Sequence, residues 1–440
     1  MNARATTRFL VTPGGALRGR LRVPGDKSIS HRAIMLGALA DGETRVSGFL
    51  EGEDSLATLA AFRAMGVSIQ GPEAGRVIIQ GVGREGLRAP AAPLDLGNSG
   101  TSMRLLSGLL AGQGFAVTLI GDESLSRRPM RRVTEPLALM GARIETSPGG
   151  TAPLRLLPVA GLQGIDYALP VASAQVKSCL LLAGLFAQGR TCVTEPAPTR
   201  DHTERMLAGF GYPVERRGAT VCLAGGGRLT GYDLDVPADI SSAAFFLVGA
   251  SIAPGSDLTL EHVGMNPTRI GVLNILRAMG ADIQVLNPRE AGGEPVADLR
   301  VRHAPLRGIR IPEDQVPLAI DEFPALFIAA ACADGETLLT GAEELRVKES
   351  DRIQVMATGL TALGIANQPR PDGILIRGGS PRGGEIDSQG DHRVAMSFAL
   401  AAPRAAGPLH IHDCANVRTS FPGFVALAAS AGLGIEEFAS

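Results

Sequence analysis

Apolar residues in this chain recur in runs that stop at a glycine and are followed by a short strand-like segment. The first is Ala64-Met65-Gly66-Val67, and the pattern returns at Gly141, Gly211, Gly280, Gly364 and Gly434. Successive glycines are 69 to 84 residues apart. Because glycine readily adopts the left-handed conformation that ends a helix, the pattern predicts six α/β units of about 70 residues.

A second repeated feature indicates that the six units form two halves. The tetrapeptide Asp-Gly-Glu-Thr occurs at 41–44 and again at 334–337, each time before a strand-like segment. An acidic helix start follows in both cases, at Glu53 and at Glu349. Three units precede Pro237 and three follow it, so we expect two α/β domains of three repeats with a cleft between them, where ligands commonly bind.

The overall composition is that of a globular protein and excludes several partners. The chain has 440 residues, 45% of them hydrophobic. A chain of this length is too long for one ordinary hydrophobic core, so we expect two or more domains. A net charge of −2, no Trp and three Tyr provide neither a basic surface nor aromatic stacking groups. We therefore expect no nucleic-acid partner and no attraction to an acidic membrane surface.

Cysteine spacing and hydropathy favour a cytoplasmic protein. The five cysteines are scattered without a Cys-x-x-Cys pair or metal-ligand spacing, which indicates buried or idle thiols in a reducing compartment. The first ten residues lack the apolar segment of a signal peptide, and no apolar run is long enough to span a bilayer. His410 and His412 have strand spacing without companions, so we expect no metal site.

Lysine is scarce, and its positions draw attention to candidate chemistry. Among 42 Lys and Arg residues, only three are lysines: Lys27, Lys177 and Lys348. Lys27 lies in a turn before an apolar run, with Ser28 or Ser30 as the expected N-cap and Arg32 close by. Free backbone N–H groups and cations at a helix start form an anion site. The alternative is a capped surface helix with solvated charges.

Three further segments of the first half suit anionic ligands. Gly97–Arg104 reads as a small polar loop entering a helix, or as an ordinary cap. Arg127–Arg132 holds four arginines, some of which must be solvated, and guanidinium groups bind carboxylate or phosphate in a bidentate manner. Ser173 is a good N-cap for an apolar helix, where Lys177 either helps to bind phosphate or is structural.

The second half carries carboxylates and cations at helix starts. Asp321 precedes an apolar helix and either caps it or acts as a general base. Lys348 and Arg352 flank another helix start, and Asp391-His392-Arg393 opens a third. Gly81–Gly86 matches the dinucleotide pattern GxGxxG, but the proline-rich segment after it cannot open the helix which that site requires.

These segments together resemble the 5-enolpyruvylshikimate-3-phosphate synthase family, in wording similar to its class II bacterial branch. Besides Asp321 and Thr-Arg-Asp-His-Thr-Glu at 199–204, the motifs are Asp-Lys-Ser-x-Ser-x-Arg at 26–32, Gly-Asn-x-Gly-Thr at 97–101, Arg-Pro at 128–129, Ser-Ala-Gln-x-Lys-Ser at 173–178, Lys-Glu-Ser-Asp-Arg at 348–352 and Asp-His-Arg at 391–393. They occur in order over nearly the whole chain.

The resemblance implies an inside-out α/β barrel fold. Its two similar domains each contain three βαβαββ-type repeats, the first domain at 21–237 and the second at 1–20 plus 238–440. It also implies a monomeric, cofactor-free enzyme of aromatic amino-acid biosynthesis. This enzyme transfers the enolpyruvyl group of phosphoenolpyruvate to the 5-hydroxyl of shikimate 3-phosphate and releases phosphate.

Residue roles follow from the same resemblance. The residues implied to bind shikimate 3-phosphate are Lys27, Ser28, Arg32, Ser173, Ala174, Gln175, Arg200, Asp321 and Lys348. Those implied to bind phosphoenolpyruvate are Lys27, Gly100, Arg128, Gln175, Arg352 and Arg393. The implied catalytic groups are Asp321 as base for the 5-hydroxyl, Glu349 as acid for the methylene carbon, and Lys27.

The chain departs from the family pattern at a few positions. Many members have Lys where Thr419 stands here, beside Arg418, which puts the phosphate contact there in question. Many also have Pro at Leu105 and Asn at Glu344. Gly100 keeps the phosphoenolpyruvate pocket roomy, whereas some glyphosate-tolerant members have Ala, so the resemblance implies that glyphosate competes at this site.

Two other functions would use some of the same motifs. A related transferase acts on UDP-N-acetylglucosamine, but its family carries a loop cysteine and the Arg127–Arg132 loop has none. A non-catalytic phosphate-binding scaffold on the same repeats would not need both Asp321 and Glu349.

Overall fold

Glycines end the predicted helices in the computed structural model, which describes residues 7–439. Five helices, ending at Ala64, Leu139, Gly209, Ala278 and Ala362, are each followed two residues later by a glycine with φ between 76° and 97°. The sixth helix ends at Ser430, and its left-handed glycine is Gly432 (φ 109°) rather than Gly434. The sixfold pattern is thus confirmed, with the last glycine displaced by two residues.

The described residues form two units, of which one is inserted into the other. The inserted unit comprises Gly25–Val236 and Ala291–Glu294. The terminal unit comprises the described residues before Gly25, Pro237–Glu290 and the described residues from Pro295 onward.

The helices and strands follow in chain order. Two strands precede the inserted unit: β1 Thr7–Val11 and β2 Arg18–Leu21. The elements of the inserted unit are α1 Lys27–Leu39, β3 Asp41–Ser47, α2 Glu53–Ala64, β4 Ser68–Glu73, β5 Arg76–Val82, β6 Leu94–Asp95, α3 Gly100–Ala111, β7 Val117–Ile120, α4 Glu123–Arg127, α5 Arg131–Leu139, β8 Arg143–Glu145, β9 Leu154–Leu157, β10 Leu162–Gln163, β11 Asp166–Ala168, α6 Ala174–Gly184, β12 Ala187–Gln188, β13 Arg190–Thr194, α7 His202–Gly209, β14 Glu215–Arg217, β15 Thr220–Ala224 and β16 Asp233–Asp235.

The remaining elements complete the terminal unit. They are α8 Ile240–Ile252, β17 Asp257–Gly264, α9 Gly271–Ala278, β18 Asp282–Ala291, β19 Glu294–Arg302, α10 Phe323–Ala331, β20 Glu336–Leu339, α11 Arg352–Ala362, β21 Asn367–Arg370, β22 Gly373–Arg377, β23 Gly384–Asp387, α12 His392–Ala399, β24 Leu409–His412, α13 Phe424–Ser430 and β25 Ile435–Ala439. Four short 3-10 helices lie at Glu313–Gln315, Glu343–Val347, Ala402–Arg404 and Ala415–Thr419.

Each unit contains three sheets of three or four strands, and the inserted unit has in addition the two-stranded parallel sheet β10-β12. In the inserted unit the orders are β16-β3-β5-β4, β6-β7-β9-β8 and β11-β13-β15-β14, and the first pair in each is parallel while the others are antiparallel. The terminal unit has the orders β23-β24-β1-β25, β18-β19-β17-β2 and β20-β22-β21. This is the predicted βαβαββ repeat. Among the described strands the sheets stay separate and do not close into one hydrogen-bonded barrel.

The first helix of each repeat is buried in the core of its unit. Helices α1, α3 and α6 are buried along nearly their whole length in the inserted unit, and α8, α10 and α12 are buried in the terminal unit. Their sequences are apolar on all sides, which is the pattern of a helix with no solvent face. The sheets therefore cover the helices, and each unit has its own hydrophobic core.

The residues proposed from the sequence as helix-start sites lie at the starts of α1, α3, α6, α10 and α12, and also at the start of α11, which is the second helix of its repeat. No helix among residues 7–439 combines the length and apolar character needed to cross a bilayer.

The closest helix packing depends on one small residue. A Cβ on Gly108 of α3 would lie 2.0 Å from the carbonyl oxygen of Cys179 on α6. We predict that Gly108→Ala lowers the free energy of unfolding by about 1–3 kcal/mol, because the two helices must separate. Thermal or denaturant unfolding measures the change. Gly114→Ala is the matched control, since a Cβ there meets nothing within 4 Å, and equal stability of the two variants would contradict this account.

Candidate active site

Helix α1 begins at Lys27, and its cap differs from the one predicted. Asp26 is the N-cap, and its Oδ1 accepts a hydrogen bond from the backbone N–H of Ile29 at 2.9 Å. The prediction of Ser28 or Ser30 was wrong because the helix starts one turn earlier than the apolar run suggested. Ser28 lies inside the first turn, and Ser30 Oγ instead accepts from the backbone N–H of Leu50 at 3.0 Å.

Lys27 is held at this helix start without being fully buried. Its Nζ lies 2.9 Å from Asp54 Oδ2, at the start of α2, and the lysine side chain remains 19% exposed. The carboxylate positions the ammonium group while part of it stays open to a ligand. This arrangement fits an anion site better than a solvated surface lysine.

Arg32 connects α1 with the third repeat of the inserted unit. Its Nε donates to Thr203 Oγ1 at 2.7 Å, and a second nitrogen donates to Ser178 Oγ at 2.8 Å. A third nitrogen donates to the Ser28 carbonyl oxygen at 2.9 Å. Burial lowers the pKa of Arg32 to about 10, although Glu204 opposes this effect. Arg32 is therefore a cation at neutral pH, and its hydrogen bonds fix its orientation.

Gly100 begins α3 between two guanidinium groups. Ser99 is the N-cap, and its Oγ accepts from the backbone N–H of Ser102 at 3.1 Å. A Cβ on Gly100 would lie 3.0 Å from a nitrogen of Arg128 and 3.1 Å from one of Arg104. Arg128 also donates to Asn98 Oδ1 at 2.6 Å. The absence of a side chain at Gly100 leaves both arginines room beside the helix N-terminus.

The start of α6 joins this group through an amide. Ser173 is the N-cap of α6 and Ala174 its first residue. Gln175 Oε1 accepts from Arg104 at 2.7 Å, while its Nε2 donates to Thr101 Oγ1 at 3.1 Å. The hydrogen bonds place the starts of α3 and α6 side by side.

Lys177 is structural, which decides the alternative that the sequence left open. It is fully buried, with Nζ 3.0 Å from Glu195 Oε1, 2.7 Å from Glu204 Oε1 and 3.5 Å from the Thr199 carbonyl oxygen. An ammonium enclosed by two carboxylates is not available to a phosphate ligand. It instead holds the segment that leads to Arg200.

His31 lies behind the site in a buried chain of hydroxyl groups. Its Nδ1 is 2.8 Å from Thr58 Oγ1 and 3.3 Å from Ser102 Oγ, and Ser102 Oγ is 2.6 Å from Ser99 Oγ. Burial lowers the pKa of His31 well below its ordinary value of 6.5, and Lys27 is the next cause. A neutral imidazole thus connects α1 to the cap of α3.

The terminal unit places Asp321 between two cationic side chains. Asp321 Oδ1 lies 3.3 Å from Lys348 Nζ and 3.3 Å from a terminal nitrogen of Arg352. The Asp321 carbonyl oxygen accepts from Arg393 at 2.9 Å. A single residue, Asp321, which lies two positions before α10, therefore connects the starts of α11 and α12.

Arg352 is the most buried cation of this set. It is 1% exposed and contacts Asp391 Oδ2 at 2.9 Å and Glu349 Oε2 at 2.5 Å in addition to Asp321. Burial alone would lower the pKa of Arg352, but the three carboxylates, Asp391 first, raise it above its ordinary value. Burial likewise acts to raise the pKa of Asp391, and Arg352 reverses this so that the pKa is lowered.

The two sets of residues have the chemistry of anion binding with acid–base groups. Each set lies at the N-terminal ends of buried helices, where backbone N–H groups and the helix dipole favour negative charge. The inserted unit supplies mainly cations, hydroxyls and an amide. The terminal unit adds Asp321 and Glu349 beside Lys348. Within residues 7–439 no group of three or more His, Cys, Asp or Glu side chains could hold a metal ion.

Comparison with known proteins decides the family. The sequence model described as EPSP synthase (3-phosphoshikimate 1-carboxyvinyltransferase) matches residues 11–427. The chain belongs to the EPSP synthase family. It is 73% identical over 428 residues to the 3-phosphoshikimate 1-carboxyvinyltransferase of Methylococcus capsulatus, covering 97% of this chain and 98% of that protein. The protein of the same name from Alkalilimnicola ehrlichii is 74% identical, with 97% and 96% covered.

A solved structure agrees with this assignment. The EPSP synthase of Acinetobacter baumannii superposes with a TM-score of 0.89 at 59% sequence identity, covering 98% of this chain and all of that one. The predicted fold class and family are confirmed. The roles of individual residues in the EPSP synthase reaction, and the predicted domain boundaries, remain predictions.

The structure separates the predicted EPSP synthase residues into two groups. Within the inserted unit, hydrogen bonds connect Arg32 with Ser28 and with α6, Gln175 with the start of α3, and Arg128 with the loop before Gly100. Within the terminal unit, contacts join Asp321, Lys348, Glu349, Arg352 and Arg393 directly.

Thr419 and Arg418, where the chain departs from the family pattern near its C-terminus, both make local contacts. Thr419 is buried, and its hydroxyl donates to the Asn416 carbonyl oxygen at 2.7 Å within its own 3-10 turn. Arg418 is 62% exposed and pairs with Glu437 at 2.7 Å. Each side chain is thus engaged locally, and substitution of either for the lysine that many EPSP synthases have there stays a prediction to be tested.

Two features of the structure could not be found from the sequence. A histidine within a motif, such as His31, gives no sign of which hydroxyl groups it will contact. The expectation of idle thiols was wrong for Cys192 and Cys222, which form a disulfide. Their separation of 30 residues carries no signal, since the register of two strands brings them together. The rejection of Gly81–Gly86 holds, as no helix follows β5 before α3.

Replacing Lys177 tests whether the buried ion cluster supports the fold. We predict that Lys177→Met lowers the free energy of unfolding by about 3–5 kcal/mol, because Glu195 and Glu204 are left buried without their common partner. Denaturant unfolding measures it. The control is Arg155→Met at an exposed pair with Glu145, expected to cost less than about 1 kcal/mol. If both variants lost a similar free energy of unfolding, the buried cluster around Lys177 would contribute no more to stability than an exposed ion pair does.

Stability should depend on pH through His31. Because the pKa of His31 is lowered in the folded state, only the unfolded chain protonates this imidazole just below pH 6.5. His31 therefore makes its full contribution to the free energy of unfolding above pH 6.5, and this contribution is lost as the pH falls. Between pH 7 and 5 the thermal midpoint of the chain should fall more steeply than that of His31→Gln. His410→Gln controls for loss of an imidazole elsewhere, and a slope unchanged by His31→Gln would refute the assignment.

Proposed function

We propose that this chain is a 3-phosphoshikimate 1-carboxyvinyltransferase, which transfers the enolpyruvyl group of phosphoenolpyruvate to the 5-hydroxyl of shikimate 3-phosphate. The observation that carries the proposal is the match to enzymes of that name at 73% identity over 97% of the chain. The intact sets of anion-binding and acid–base residues support it. The proposed reaction uses no metal and no organic cofactor.

Shikimate 3-phosphate binding is assigned to residues of both units. In the inserted unit we assign Ser28, Arg32, Ser173, Gln175 and Arg200, together with Lys27 and the backbone of Ala174. Lys348 and Asp321 would contact the acceptor from the terminal unit. The fixed orientation of Arg32 supports its role, because a preorganised cation loses little entropy when it binds a phosphate.

Phosphoenolpyruvate binding is assigned to arginines and one glycine. Arg128 and Gly100 would hold it in the inserted unit, together with Lys27 and Gln175, which touch both substrates. Arg352 and Arg393 would hold it in the terminal unit. Arg352 stays protonated, and a bound anion would contact its guanidinium group together with Asp391. The guanidinium fork suits carboxylate and phosphate oxygens.

The reaction consists of an addition followed by an elimination. Asp321 takes the proton of the 5-hydroxyl as its oxygen attacks the enol carbon, and Glu349 gives a proton to the methylene carbon. The tetrahedral intermediate then loses phosphate and a proton from the new methyl group, which returns to the deprotonated Glu349, and the double bond is restored. The two carboxylates need different protonation states, so their surroundings must differ. Asp321 lies beside two cations, Lys348 and Arg352, and Glu349 pairs with Arg352.

This chemistry needs both sets of residues to reach the same pair of substrates. The predicted cleft between two domains would meet that need and stays a prediction. A monomeric, cytoplasmic enzyme is likewise part of the proposal, and sedimentation of the purified chain tests the monomer.

The decisive assay is phosphate release from phosphoenolpyruvate with two alternative acceptors. We expect release with shikimate 3-phosphate and none with UDP-N-acetylglucosamine. Release only with the second acceptor would indicate the related transferase. No release with either acceptor, from a folded chain that binds phosphoenolpyruvate, would indicate a scaffold and overturn the proposal.

Asp321→Asn tests the general base. The variant keeps the size of the side chain and loses the basic oxygen, so kcat should fall by about 10²- to 10⁴-fold with little change in substrate binding. Asp314→Asn, at an exposed carboxylate in the 3-10 helix Glu313–Gln315, is the control and should keep full activity. An unchanged kcat for Asp321→Asn would remove this residue from the mechanism.

Gly100→Ala tests the crowding between Arg104 and Arg128. A methyl group 3.0 Å from the Arg128 nitrogen must displace that guanidinium, so KM for phosphoenolpyruvate should rise by about threefold to tenfold. Glyphosate, if it competes at this site, should lose more affinity than phosphoenolpyruvate does. Unchanged KM and inhibition would place both ligands elsewhere.

A further inference from the structure

Two cysteines lie directly opposite each other on the third sheet of the inserted unit. Cys192 on β13 pairs with Cys222 on the antiparallel β15, their Cα atoms are 4.1 Å apart, and the two are joined as a disulfide. The flanking residues Val193 and Val221 face the core with no exposure. Because side chains alternate along a strand, the cysteine pair lies on the outward face of the sheet.

On the outward face Cys192 is accessible to a small reagent, whereas Cys222 is buried, with 6% exposure. Cys192 is partly exposed, and Cys222 lines a cavity of about 260 Å³ together with Arg190 and Glu215. Arg190 lies two residues before Cys192 on the same face of β13. Arg190 pairs with Glu215 at 2.7 Å, so these two charges largely offset each other beside the cysteine pair. The thiolate is the form that reacts in disulfide exchange.

The other three cysteines differ in their surroundings. Cys179, Cys332 and Cys414 are free thiols. Burial raises the pKa of Cys179, and it raises the pKa of Cys332 and of Cys414 to about 12. These thiols stay protonated at neutral pH and serve as internal references for reactivity.

We propose that Cys192 and Cys222 are a reversible redox-modification site whose disulfide orders the segment leading to Arg200. The oxidant is a low-molecular-weight disulfide such as oxidised glutathione. The Cys192 thiolate attacks one of its sulfurs and releases one thiolate, giving a mixed disulfide. The Cys222 thiolate then attacks Cys192 Sγ and releases the second. Two cysteine thiols are oxidised to one disulfide, and one external disulfide is reduced to two thiols.

Strand β13 connects the pair to the candidate site along the chain. Glu195 follows β13 directly, is 4% exposed, and holds Lys177 at 3.0 Å. Its carboxylate also accepts from the Thr199 hydroxyl, and the Thr199 carbonyl accepts from Lys177 at 3.5 Å. Arg200 is the next residue, so order in β13 passes to Arg200 through fixed contacts.

Strand β15 reaches the same cluster by a second route. Val221, which precedes Cys222, pairs with Arg216 on β14. Arg216 lies 3.5 Å from Glu195 Oε2 and 3.8 Å from Glu204 Oε1. A covalent link between β13 and β15 therefore fixes the strand that leads to Glu195 and the strand that pairs with the one carrying Arg216.

The functional consequence rests on the proposed function, in which Arg200 contacts shikimate 3-phosphate. With the disulfide intact, Arg200 is held in position. When the disulfide is reduced, the segment has more freedom, and KM for shikimate 3-phosphate should rise by about threefold, since a mutation or modification remote from a ligand shifts coupling by a modest free energy. KM for phosphoenolpyruvate should change less, because Gln175 is its only assigned contact in the third repeat, and Gly100 and Arg128 belong to a different one.

The first part of the test needs no activity. The full-length chain is equilibrated in mixtures of oxidised and reduced glutathione, free thiols are alkylated, and peptides are mapped by mass spectrometry. We expect a Cys192–Cys222 link that forms and disappears with the ratio, free thiols at the other three cysteines, and a higher thermal midpoint for the oxidised chain. Alkylation of both cysteines at every ratio would overturn the proposal.

The second part measures the coupling. The double variant Cys192→Ser with Cys222→Ser should show the KM of the reduced chain at every glutathione ratio, whereas the control Cys332→Ser should respond as the native chain does. A mapped link without any change in KM would overturn the coupling to Arg200. If the chain proves inactive with both acceptors, the mapping and the thermal midpoints still decide whether the redox site exists.

Discussion

The structure depends on bringing charged helix starts together at the ends of fully buried apolar helices. Helices α1, α3 and α6 have almost no solvent-facing side, so their polar groups are confined to their ends. Close packing then sets the distance between those ends, as at the contact between Gly108 and Cys179. Backbone N–H groups that a helix cannot satisfy internally are thereby collected in one place, beside cations.

Each cation in these groups is already matched to an acceptor, which gives the site its order before a ligand arrives. Lys27 pairs with Asp54, and Arg352 is shared among carboxylates of which Asp391 is fully buried. Such pairing keeps long side chains in one orientation, and a multiply anionic substrate can then take over contacts from a carboxylate. The cost of desolvating the charges is met during folding rather than during catalysis.

Much of this could be predicted from the sequence, because local signals determine it. The helix-ending glycines such as Gly66 and the polar starts at Lys27 and Asp391 follow from backbone conformation and capping. The exact cap at Asp26 and the displaced glycine at Gly432 show the usual uncertainty of helix ends. Lys177 could not be assigned, since its partners Glu195 and Glu204 are brought to it by tertiary packing. The disulfide depended on strand register, which the sequence does not reveal.

The most direct test is a crystal structure of the chain with shikimate 3-phosphate and a non-reacting phosphoenolpyruvate analogue bound. The account predicts that Lys27 and Arg128 contact the ligands together with Asp321, Lys348 and Arg393, and that the 5-hydroxyl lies within hydrogen-bond distance of the Asp321 carboxylate. Ligands that contact only one of the two sets, or a 5-hydroxyl far from Asp321, would contradict the account.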